Sequence, residues 1–129
     1  IGSDSRIGSK YLRWGYGYGG PCFPRDNRAL NIFAEENDID AQISRATDKM
    51  NKLHLTYQIE EFMKNNPDKN KPVVFDYVTY KPQSTILEES QQLKFALTLQ
   101  KLGYNVVVNE RDSVIKELDK IGIKFKNNE

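Results

Sequence analysis

Apolar residues fall at Ile39, Ile43, Ala46, Met50, Leu53 and Tyr57, alternating steps of four and three. That is a helical period, and it predicts one long helix. A second stripe, Leu55, Ile59, Phe62 and Met63, runs beside the first. Asn65-Asn66-Pro67 must end the helix, because proline disfavours helical backbone in the residue before it. With two apolar stripes the helix is expected to pack on two sides, one of which a second subunit can supply. Upstream, Pro24 suits a first helical turn, and Asp26 places a carboxylate near the positive end. Leu30, Ile32 and Phe33 carry that shorter helix to about Glu36, where Asn37-Asp38 interrupts.

The pattern changes after the polar stretch 66–71. Val73, Val74 and Phe75 read as a buried strand continuing through Tyr77 to Tyr80. Glu88 to Leu102 reads as a helix with Leu93, Ala96, Leu97 and Leu99 apolar and Gly103 as its stop. Tyr104 to Asn109 reads as a second strand, Ser113 to Ile121 as a short helix, and Ile123 to Phe125 as the start of a third strand. Strand, helix, strand, helix implies a βαβ unit with a parallel sheet. The expected fold class is therefore α/β: a helical segment followed by a partial Rossmann-like unit. The expected domains are 1–66 and 72–129.

Composition narrows the function. The 129 residues carry 19 Lys+Arg against 18 Asp+Glu, so no basic excess argues for nucleic acid. The longest apolar run is far below a membrane span, and no signal peptide opens the chain. The single cysteine, Cys22, forms no intrachain disulfide, so a reducing, cytoplasmic setting is expected.

The candidate chemistry gathers near the start. Six of the eight glycines precede Phe23. Gly15-x-Gly17-x-x-Gly20 matches the dinucleotide fingerprint only as letters. It should follow a strand and open a helix, whereas here Tyr11 to Trp14 precede it and Pro21 and Pro24 follow. That leaves a flexible loop, or one whose amides approach a ligand closely. Cys22 sits directly before the helix at Pro24, where the helix dipole and unpaired amides favour the thiolate. It is either a nucleophile or a small buried hydrophobe. Arg6, Lys10, Arg13, Arg25 and Arg28 suit a phosphate or carboxylate ligand, or form a solvated basic face. Trp14, Tyr16 and Tyr18 suit stacking on a base or sugar, or loop packing. His54 is the only histidine, lies mid-helix and reads as structural or as a surface residue, and no metal set is expected. Glu88-Glu89 is expected at a helix start capped by Ser84 or Thr85.

The run Gly17-Tyr18-Gly19-Gly20-Pro21-Cys22-Phe23-Pro24-Arg25-Asp26 resembles the catalytic segment of the UDP-glucose 6-dehydrogenase family, in the wider UDP-glucose/GDP-mannose dehydrogenase group. Asp4-Ser5-Arg6-Ile7-Gly8 resembles the family's preceding segment. Tyr80-Lys81-Pro82 and Glu89-Ser90 resemble the segment that opens its C-terminal domain. The resemblance implies oxidation of UDP-glucose to UDP-glucuronate, with two hydrides passed to NAD through a cysteine thiohemiacetal and thioester. It makes Cys22 the nucleophile and Asp26 the aspartate near the attacking water. Arg13, Trp14, Gly15, Tyr16, Gly17, Tyr18 and Gly19 become the loop that holds the sugar nucleotide. Tyr80 and Lys81 become contacts to its nucleotide end. Arg6 reaches the substrate of a neighbouring subunit, which implies a homodimer. Cys22 and Arg25 border NAD. Arg25 stands where the family has lysine, and Glu88 where it has an arginine that contacts NAD. A GDP-mannose dehydrogenase shares the cysteine segment, and a non-catalytic nucleotide-sugar-binding or dimerisation module is the rival of another class. The family's NAD-binding domain is not represented, so the 129 residues read as the middle of a longer enzyme and alone are expected not to turn over.

Overall fold

The computed structural model describes residues 1–10, 12 and 14–127. Its elements are α1 (Phe23–Glu36), α2 (Gln42–Asn65), β1 (Pro72–Phe75), α3 (Gln91–Lys101), β2 (Asn105–Val108), α4 (Asp112–Lys120) and β3 (Lys126–Asn127). The strands form one parallel sheet in the order β1-β2-β3, with Val73 opposite Val106 and Val107 opposite Lys126. Helix α3 crosses from β1 to β2, so the second half is the α/β unit the pattern predicts.

The core lies between this sheet and its helices. Phe75, Phe95, Ala96, Leu99, Val108, Val114 and Leu118 are buried together. Leu55, Ile59, Phe62 and Met63, the second stripe of α2, pack against them. Phe62 meets Phe95 and Tyr104 edge-on at ring separations of 5.7 and 5.6 Å, a favoured aromatic geometry. The long helix is thereby fixed to the α/β unit. Its first stripe faces outward: Ile43 is 84% exposed, and Met50, Leu53 and Tyr57 are also exposed. No helix among the described residues is long and apolar enough to cross a membrane.

Several predicted boundaries move, each for a local reason. Helix α2 starts at Gln42, and Ile39 lies outside it, after Asp38 in left-handed backbone (φ 55°). Strand β1 ends at Phe75 rather than Tyr80, because the next amides turn elsewhere: Val78 and Thr79 donate to Glu110, and Tyr80 donates to the Ile86 carbonyl. Helix α3 begins at Gln91 rather than Glu88. Its cap is Ser90, whose Oγ accepts from Leu93 N at 3.1 Å, not Ser84 or Thr85. Glu89, at φ 52°, cannot be helical. The third strand is residues 126–127, just past the predicted 123–125.

Candidate active site

Residues 14–22 run as a loop into α1 and lie across α2, and their carbonyls are held by side chains from two elements. Gly15 O accepts from His54 Nε2 at 2.7 Å and from Gln58 Nε2 at 3.1 Å. Tyr18 O accepts from Asn51 Nδ2 at 2.9 Å and from Gln91 Nε2 at 3.2 Å. Asn51, His54 and Gln58 therefore make one polar face of α2 that carries the loop. The structural reading of His54 stands, and its partner is now identified. The ring of Tyr16 sets edge-on against Phe95 at 5.9 Å, so one flank of that tyrosine belongs to the core. Trp14 is fully exposed, and Arg13 lies outside the described residues. A cleft of about 630 Å³ opens between the loop and α2, lined by Trp14, Tyr16 and Tyr18 on one side and Ile43, Met50 and His54 on the other.

Two glycines bring this loop onto the second half of the chain. A Cβ on Gly19 would lie 2.3 Å from the Glu89 carbonyl oxygen, a backbone atom that cannot yield cheaply. Gly20 is buried at φ 87°, and a Cβ there would lie 2.6 Å from the Tyr80 ring. The cysteine loop and the Tyr80-Lys81 segment are thus in contact, although they are 60 residues apart in sequence. Lys81 Nζ lies 5.3 Å from the centre of the Tyr80 ring.

Cys22 is exposed at the N-cap of α1 with a free thiol, not buried as a small hydrophobe. Its carbonyl accepts from Asp26 N at 2.8 Å, which closes the first turn. Arg25 Nε donates to Asp26 Oδ1 at 2.8 Å. That bond, then the charge of Asp26, then those of Cys22 and Glu88, raise the Arg25 pKa. Arg25 and Glu88 are therefore electrostatic neighbours of opposite sign. No strand precedes the glycine loop among the described residues, so the turn that grips a pyrophosphate in a dinucleotide fold is not made here.

Three cations of the first segment are paired with carboxylates of the chain itself. Arg6 pairs with Asp4 at 2.7 Å and Arg25 with Asp26. Arg28 is a bracket: Nε binds Asp48 of α2 at 3.0 Å, and Nη1 binds Glu89 at 2.7 Å. Lys52 on Asp48 and Lys94 on Glu89 complete the cluster. It ties α1, α2 and the turn before α3 together behind the cysteine loop. Hydrogen bonds from Arg28 first, then Lys94, hold the Glu89 carboxyl below its usual pKa. Lys52 first, then Arg28, does the same for Asp48. A carboxyl lowered in the folded state stabilises the fold above its unfolded pKa and loses that contribution as pH falls. We expect the urea midpoint to drop on acidification below about pH 5, and to drop less in Glu89→Gln. At pH 7 that variant is expected to lose about 1 kcal/mol, screening by the partly exposed Arg28 included.

Asp48, Asn51, Gln58 and Gln91 escape a reading by motif, as does the pairing of Arg28 with Glu89. The one available signal was the polar spacing 51, 54, 58 on a helix otherwise striped with apolar residues.

Residues 1–53 match the UDP-glucose/GDP-mannose dehydrogenase family, central domain. A UDP-glucose 6-dehydrogenase of Rickettsia conorii is 31% identical over 126 residues, 96% of this chain and 27% of that protein. The structure of a UDP-glucose dehydrogenase from the archaeon Pyrobaculum islandicum superposes with a TM-score of 0.82 at 27% identity, over 99% of this chain and 30% of that one. A GDP-mannose dehydrogenase structure from Pseudomonas aeruginosa shares the fold, with a TM-score of 0.71 at 20% identity, over 92% of this chain and 26% of that one. The chain thus spans under a third of the length of these relatives.

Proposed function

The chain belongs to the UDP-glucose/GDP-mannose dehydrogenase family, and from that premise we propose that its residues form the cysteine loop and part of the nucleotide-sugar site of an NAD-dependent UDP-glucose 6-dehydrogenase. The observation that carries the reading is the contact of Gly20 with the Tyr80 ring, which joins the two family-like segments into one site. In this reading residues 1–66 supply the cysteine loop and a dimer helix, and residues 72–129 begin the nucleotide-sugar domain.

The chemistry asked of Cys22 follows from its placement. After a first hydride loss turns the sugar alcohol into an aldehyde, the exposed Cys22 sulfur can add to the aldehyde carbon, giving up its proton as a C–S bond and a thiohemiacetal form. Loss of hydride from that carbon leaves a thioester. Water then adds, the C–S bond breaks, the acid leaves and the thiolate returns. NAD, when bound, supplies the hydride acceptor. Asp26, one turn along α1, orients the attacking water, with its own carboxylate positioned by Arg25. Tyr80, Lys81 and the loop from Arg13 to Gly19 hold the nucleotide sugar, and Arg6 extends towards the site of a partner subunit. The outward stripe Ile43, Met50, Leu53 and Tyr57 forms the dimer face of α2.

The intact protein, given UDP-glucose and NAD, is expected to release about two NADH for each UDP-glucuronate formed. Release of a free aldehyde with one NADH, a preference for GDP-mannose, or no turnover would each contradict the proposal. No turnover with retained UDP-glucose binding would favour a non-catalytic binding module, the reading that Glu88 supports. The 129 residues alone are expected to give no NADH.

A further inference from the structure

The segment between β1 and α3 carries Tyr80 and Lys81, yet it has no regular structure to shape it. Most of its bonds are its own. Tyr80 N donates to Ile86 O at 3.1 Å, Thr79 Oγ1 donates to Lys81 O at 3.0 Å, and Ser90 Oγ donates to Val78 O at 2.7 Å. Arg28 and Lys94 hold the segment's Glu89 end, and its Val78-Thr79 end is held from the turn after β2. Glu110 Oε1 accepts from Val78 N at 2.9 Å and from Thr79 N at 3.3 Å, and the Arg111 guanidinium donates to Ser84 O. A cleft of about 590 Å³ opens beside this brace at the C-terminal ends of β1 and β2, lined by Asp76, Tyr77, Thr79, Gln83, Glu110 and Arg111. Ligands of parallel α/β sheets bind at that end.

An acid just past the second strand is, in a dinucleotide fold, a residue that binds ribose. Glu110 occupies that place in the chain but does a different job. Its Oε1 is turned to two consecutive amides, and Oε2 accepts from Arg111 N at 3.2 Å. Thr79 Oγ1 also lies 3.4 Å from Oε1, but its one proton goes to the nearer Lys81 carbonyl, so the threonine passes the support on to Lys81. The order is then Glu110, the amides of 78 and 79, the Thr79 hydroxyl, and the Lys81 backbone, with the Tyr80 ring against Gly20 beyond it.

We propose that Glu110 is a positioning residue of the nucleotide-sugar site: it sets the Tyr80-Lys81 segment by gripping the Val78 and Thr79 amides, and so sets affinity for the substrate rather than the rate of chemistry at Cys22. This rests on the dehydrogenase reading above. A residue that only stabilised the fold would not split KM from kcat, and its effect would not follow the acceptor oxygen.

The test uses Glu110→Ala, Glu110→Gln and Glu110→Asp in the intact protein. Amide hydrogen exchange at Val78 and Thr79 is expected to quicken at least about 10-fold in Glu110→Ala, with β2 unchanged. KM for UDP-glucose is expected to rise about 10-fold while kcat stays within about 3-fold. Glu110→Gln keeps an acceptor oxygen and is expected to stay within about 3-fold of the parent in both. Glu110→Asp, one methylene shorter, is expected between the two and serves if the alanine variant does not fold. Unchanged exchange at 78 and 79, an unchanged KM, or an equal fall in kcat and kcat/KM would overturn the proposal. If the parent protein neither binds nor oxidises UDP-glucose, the dehydrogenase reading fails by itself, and the exchange measurement still decides whether Glu110 holds the segment.

Discussion

Cys22→Ser in the intact protein is expected to lower formation of UDP-glucuronate by at least about 1000-fold, since removing a nucleophile has cost about 10⁶ in kcat elsewhere. The thiol is free, exposed and at the N-terminus of α1, where Pro24 and Asp26 start the helix. A serine fits the same space, so the fold and the affinity for UDP-glucose are expected to change by less than about 3-fold. A hydroxyl at this place is a far poorer nucleophile than a thiolate near pH 7. Rate of acid formation against UDP-glucose affinity, measured on the same preparation, separates lost chemistry from lost binding. Retained acid formation would remove the role given to Cys22.

Gly19→Ala is expected to have the second largest effect, and by a different route. Its new Cβ would meet the Glu89 carbonyl oxygen at 2.3 Å. Glu89 cannot retreat freely. Its side chain is held by Arg28 and Lys94, and its successor Ser90 is buried and caps α3. The cysteine loop must therefore move, and it sits only three residues before Cys22. An overpacking clash of this kind costs about 1–3 kcal/mol in stability. A displacement of about 1 Å in a reacting group costs about 100-fold in rate. Gly8→Ala is the control: nothing lies within 4 Å of its Cβ, and its φ of 86°, unlike that of Gly19, lies in the left-handed region. It is expected to lose about 1 kcal/mol of stability and little activity. Losses in Gly19→Ala no larger than those in Gly8→Ala would show that contact with Glu89 does not explain the glycine.

Much of this was legible in the chain. The two stripes of α2 gave the helix and its two faces, because side chains four and three apart share a side. The proline in the first turn of α1 marks a real helix start, whereas Glu88-Glu89 drew the start of α3 three residues too early and its cap, Ser90, was not foreseen. The βαβ order followed from apolar runs of strand length around a helical period. The cysteine motif singled out its loop by resemblance. What the residues could not disclose were the partners made by folding. Arg28 reads as one more cation of a basic cluster, yet it is the bracket between Asp48 and Glu89. Glu110 carries no motif, yet it takes the amides of Val78 and Thr79 beyond the end of β1. Both bonds join residues 20 or more positions apart, and no local propensity encodes such a pairing. The outward stripe of α2 shows the reverse: its pattern announced a packing face, and within one chain that face has no cover.

The central claim is that Cys22 lies in a nucleotide-sugar site built from the glycine loop and the Tyr80-Lys81 segment. It is tested most directly by the rate at which iodoacetamide alkylates Cys22 in the intact protein, read by mass spectrometry of the peptide that contains it. Saturating UDP-glucose is expected to slow that rate at least about 10-fold, because a bound sugar would cover the exposed thiol. Alkylation at the same rate with and without UDP-glucose would contradict the account.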